Sequence, residues 1–158
     1  MHISRRGLMG LSLSALSSTY LLAACATKTP EQIQADVNLI VSGLEAVVNA
    51  ASALPNIPPD VIAKARAELD IIRVNAGAIA DSIGPKDTAA QQIQSAVSTL
   101  ASLLMNYFPA ASTYAGVINA AVALAAVVVA MIGATPAPQA RRSSMSPEKA
   151  RDILRSAH

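Results

Sequence analysis

Residues 30–54 read PEQIQADVNLIVSGLEAVVNAASAL. Apolar side chains recur at Ile33, Val37, Ile40, Leu44, Val47, Ala51 and Leu54, in steps of four and three. Such spacing lays one apolar stripe along a helix of 3.6 residues per turn. Glu31, Gln34, Asp36, Asn38, Ser42, Glu45 and Asn49 fall mainly off the stripe. Thr29 is placed to cap this helix. Pro30 suits its first position, where the amide hydrogen that proline lacks has no partner in any case. Pro55 and the run Asn56-Ile57-Pro58-Pro59 end it.

The same design repeats downstream. A second helix is predicted over 59–83, striped by Ile62, Ala65, Leu69, Ile72, Ala76, Ile79 and Ile83 and stopped by Gly84-Pro85. Lys64 with Glu68, and Arg66 with Asp70, stand four apart and are expected to pair on its surface. A third helix is predicted over 88–107, with Asp87 as its cap and Ile93, Val97, Leu100, Leu104 and Tyr107 as its stripe. Its other face is polar but uncharged: Gln91, Gln92, Gln94, Ser95, Ser98, Ser102 and Asn106. Three striped helices joined by short Pro- and Gly-marked loops predict an all-α fold, an antiparallel bundle of about four helices without a sheet.

Composition agrees. The 158 residues are 53% hydrophobic and 14% charged, which is too apolar for a disordered chain. Nine prolines in an Ala-rich chain argue for helices broken at defined points. The net charge of +2 excludes a strongly basic nucleic-acid binder. Without Arg5 and Arg6 the basic residues number ten, matching the ten acidic ones.

The fourth helix, predicted over 110–132, differs from the others. Residues 115–134, AGVINAAVALAAVVVAMIGA, contain one clearly polar side chain, Asn119. No charged residue stands between Asp87 and Arg141. Two readings stand. The segment completes the bundle, with Asn119 as an interhelical polar contact. Alternatively it spans a membrane: twenty residues reach about 30 Å, the thickness of a hydrocarbon core. Tyr107, Phe108 and Tyr114 precede it and Arg141 and Arg142 follow, as interfacial residues would. The aromatics would equally plug the end of a bundle. Residues 135–145 read as a flexible linker. Residues 146–158 read as a short basic helix capped by Ser146, with Pro147 at its first position. Arg141 and Arg142 are candidate contacts for an anionic surface, together with Lys149, Arg151 and Arg155.

The N-terminus carries an address. Arg5 and Arg6 precede a mildly apolar stretch that ends in small residues, the layout of a secretory signal over residues 1–24. Leu22-Ala23-Ala24-Cys25 resembles the lipobox of bacterial prolipoproteins at all four positions. The resemblance implies cleavage between Ala24 and Cys25, acyl chains such as palmitate on Cys25 as the only cofactor-like group, and a spacer over 25–30. Ser4-Arg5-Arg6-Gly7-Leu8-Met9 resembles the twin-arginine export motif, with Leu8 where that family usually has Phe and Gly10 where it commonly has Lys. Ala26 after the Cys, where an Asp would retain an enteric-type lipoprotein at the inner membrane, points to the outer membrane facing the periplasm in a Gram-negative cell.

Catalytic chemistry is sparse. The histidines are His2 and His158, and the lone cysteine is Cys25. The body therefore offers no nucleophile–base pair or zinc set built on these residues, and it has no Gly-rich phosphate loop. The carboxylates Asp60, Glu68, Asp70, Asp81 and Asp87 read as a solvated face. The expectation is a non-enzymatic, lipid-anchored bundle of residues 31–134 in the cell envelope. Its partners would be the membrane, through the anchor, and an envelope protein or a second copy, but no nucleic acid. The alternative is a membrane-active protein with 115–134 inserted, serving envelope perturbation, immunity or phage-type exclusion. A carrier of an apolar ligand in the bundle core is a third possibility.

Overall fold

The structure, a computed structural model, describes residues 29–80, 86–109, 111–133 and 145–157. Five helices follow in order: α1 (Pro30–Ser52), α2 (Pro59–Ala80), α3 (Lys86–Leu104), α4 (Thr113–Met131) and α5 (Pro147–Arg155). The described residues contain no strand. The all-α expectation holds, and the chain folds as an antiparallel helical bundle.

The predicted stripes become its core. Val37, Ile40, Leu44, Val47 and Ala51 of α1 are fully buried. Ala65, Leu69, Ile72 and Ile79 of α2 meet them, as do Ile93, Val97, Leu100 and Leu104 of α3. α1 packs on α2, α2 on α3, α3 on α4, and α4 back on α1, which closes a four-helix ring. Leu54 falls outside this core at 37% exposure, because α1 stops two residues earlier. In the α1–α2 loop Ile57 folds inward and is buried, its amide donating to the Leu54 carbonyl at 3.3 Å.

The helix ends follow local chemistry. The Thr29 amide donates to Gln32 Oε1 at 3.3 Å, which satisfies one donor at the start of α1. Ser146 Oγ accepts from the Lys149 amide at 3.3 Å and caps α5 as predicted. α4 starts at Thr113 and not near 110, because Ser112 provides the cap. Its Oγ accepts from the Ala115 amide at 3.1 Å, and its own amide donates to the Pro109 carbonyl at 2.8 Å. Asp87 is not the cap of α3; it lies inside the first helical turn, where its charge still faces the positive end of the helix. Gly133, just past the α4 C-terminus, has φ +87°, a conformation that other residues adopt only with strain. Phe108 is buried in the α3–α4 connection, its ring 5.1 Å from that of Tyr114, so the aromatics close one end of the bundle.

α5 is not set apart from the bundle. It packs on both α1 and α4, and its Ala150 and Leu154 are fully buried. The residues after 145 therefore belong to the same hydrophobic core as 31–134.

Candidate functional site

Three features stand out on the described surface: the seam under α5, the outer face of α4, and a groove between α2 and α3.

The seam begins with Gly43. A Cβ built on this glycine would lie 2.5 Å from Leu154 Cδ2 and 3.4 Å from Val117 Cγ1. α1 is thus notched at mid-length, and Leu154 fills the notch between α1 and α4. About two turns earlier in α1, Asp36 receives a two-pronged ion pair: Arg151 Nε donates to Oδ1 and Nη2 to Oδ2, both at 2.7 Å. The Asp36 side chain is 6% exposed and that of Arg151 is 15% exposed. The hydrogen bonds that Arg151 donates to Asp36 raise the Arg151 pKa above its ordinary value, against the opposing effect of burial. Arg151 meets Asp36 and Leu154 meets Gly43, so α5 lies along α1 in the same direction. Arg151 was expected on an anionic surface; here it is held by a carboxylate of its own chain.

α4 presents its remaining face outward. Asn119 and Ala130 are exposed, and Gly116, Val122, Ala126 and Val127 are half-buried. Asn119 is therefore not the interhelical contact that its apolar setting suggested. It sits on the one side of α4 that neither α1, α3 nor α5 covers. The helix has the length and mean hydropathy (2.1) of a membrane-spanning segment, and 56% of that window is buried by its neighbours.

The α2–α3 groove is an open depression of about 650 Å³. Ile71, Val74 and Ala96 supply apolar walls, Glu68 and Asp70 one rim, and Gln92, Ser95 and Thr99 the other. Val74 is 74% exposed, the most of any large apolar side chain described. Asn75 is buried there, but its Nδ2 donates to the Ile71 carbonyl at 2.8 Å. Asp70 pairs with Arg73 at 2.7 Å, where the spacing had suggested Arg66, and Arg73 also binds Glu45 across the helix pair. This exposed cluster raises the Arg73 pKa, mainly through the Glu45 hydrogen bond.

Among the described residues no group of three or more His, Cys, Asp or Glu side chains is placed to hold a metal ion. Cys25, Ala24, Arg5, Arg6, Arg141 and Arg142 lie outside the described residues, as do residues 1–24, all but residue 145 of the 135–145 linker, Asp81 and His158. The α5 seam was missed from the sequence because Asp36 and Arg151 are 115 residues apart. The spacing of Ala150, Ile153, Leu154 and Ala157 was the available signal: one apolar face on an otherwise charged helix. No family model, curated protein or solved structure matches the chain.

Proposed function

We propose that this is a lipid-anchored, non-enzymatic helical-bundle protein of the bacterial cell envelope, with a structural or interaction role. The observation that carries the reading is the lipobox-like Leu22-Ala23-Ala24-Cys25, five residues ahead of the first helical residue, Pro30. Five residues reach at most about 18 Å. An acylated Cys25 therefore holds the bundle close to the bilayer, with the start of α1 and the end of α4 as the near end. Several acyl chains give firm attachment, since each buried methylene contributes about 0.8 kcal/mol. The twin-arginine-like Arg5-Arg6 pair supports export of the already folded bundle. The exposed surfaces of α2, α3 and α4 are then available to an envelope partner or a second copy.

A second reading has one observation in its favour, the length and apolarity of α4. In that reading the segment 115–134 enters the bilayer and the protein perturbs or guards the envelope. Its burial against three helices favours the first reading.

Fractionation of cells expressing wild type or Cys25→Ser tests both. The lipoprotein reading expects wild type in the membrane fraction and Cys25→Ser in the soluble exported fraction. Retention of Cys25→Ser in membranes after an alkaline wash contradicts it and favours the inserted helix.

A further inference from the structure

We infer that α5 is a strap: it undocks as a unit while α1–α4 stay folded, and when docked it closes an apolar slot between α1 and α4. Four observations carry this. First, the four ring helices close on one another through α1–α2, α2–α3, α3–α4 and α4–α1 contacts that do not involve α5. Ile40, Leu44, Ile72, Ile93, Leu100 and Leu124 are fully buried in a core drawn from all four ring helices. Second, α5 is short and lies outside the ring, packed on α1 and α4 alone. It has nine residues, of which only Ala150 and Leu154 are fully buried. A helix this short is not stable alone in water, so it folds as it docks and melts as it leaves.

Third, the receiving slot is built into α1. Gly43 interrupts a helix that would be more stable with alanine, and the space it leaves is taken by Leu154. Fourth, the Asp36–Arg151 pair specifies the docked position more than it strengthens it. Both groups give up water on docking, which offsets much of their attraction, and both regain it on release. A strap with a small apolar footprint and one orienting ion pair opens at a lower free energy than the bundle unfolds. What opens is the α4 side of the slot at Val117, adjoining an outer face of α4 that carries no charged side chain. Use of the slot in an interaction rests on the envelope reading above. The strap motion does not, and a strap that stays shut leaves the outcome for Cys25→Ser untouched.

Hydrogen exchange on the full chain in sub-denaturing urea tests the strap. Amides of 148–157 are expected to exchange through an opening insensitive to urea, while those in the core of α1–α4 follow global unfolding. Gly43→Leu, which fills the notch and favours the α1 helix, is expected to speed exchange in 148–157 by about tenfold or more, with α1–α4 protection kept. Arg151→Asp is expected to do the same, and Asp36→Arg combined with Arg151→Asp to restore protection. In a Cys25→Ser background, the thiol of Val117→Cys should react faster when Arg151→Asp is added. The strap is overturned if α5 and the ring lose protection together in wild type, if Gly43→Leu leaves α5 protected, or if Val117→Cys reactivity ignores Arg151→Asp.

Discussion

α4 and α5 are opposites in composition and neighbours in space. α4 is uncharged, with Asn119 on its outer face, and lies in the ring; α5 is mostly charged and lies against it. Their mean character says little about how each is held. α4 is ringed by α1, α3 and α5, with small side chains at Ala115, Ala120, Ala121, Ala123 and Ala125 buried where helices approach closely. α5 is held by the fully buried Ala150 and Leu154, by the partly buried Ile153, and by the Asp36–Arg151 ion pair. In a bundle, the side that a neighbour covers decides burial, and average hydropathy does not.

The difference predicts unequal responses to truncation. The largest effect is expected in α4. Leu124 is fully buried in the ring, so Leu124→Ala should lower global stability by about 2–5 kcal/mol in urea denaturation. A loss under 1 kcal/mol would mean that α4 contributes little to the fold. Ion pairs should rank next, by burial. Arg151→Met removes two hydrogen bonds to a largely buried carboxylate, a loss of about 1.5–3 kcal/mol where α5 stays docked. Because α5 can lift, the loss should appear in α5 exchange more than in the global midpoint. Arg73→Ala breaks a pair that is roughly half exposed and should cost about 0.2–1 kcal/mol, less at high salt. Equal losses for the two arginines would remove the distinction between the buried seam and the solvated cluster.

The ring was legible because its information is local. Each stripe of α1, α2 and α3 lies within one segment, and its spacing selects most of the large buried side chains. Gln94, expected on the polar face of the third helix, is instead buried, because α2 and α4 cover a wider arc of α3 than its stripe. α5 was legible as a helix, through Ser146 and Pro147, but not as a docked one. Its partner Asp36 had read as a surface residue beside the stripe, and nothing near it in the chain points to Arg151. Asn119 failed for a related reason. A lone polar residue among apolar ones suggests an interior hydrogen bond, yet with Gly116, Ala126 and Ala130 it marks the open side of α4. The proposed anchor and export residues would carry their meaning in local motifs and not in packing, so their test is cell fractionation of Cys25→Ser.

The central claim is that α4 belongs to a water-exposed bundle, with one face outward. In the Cys25→Ser background, Asn119→Cys and Ala121→Cys place thiols on its exposed and buried faces. A membrane-impermeant maleimide added to the exported protein should label Asn119→Cys readily and leave Ala121→Cys protected until the bundle is unfolded. Equal protection of both thiols, relieved only by detergent, would contradict the account and place α4 in the bilayer.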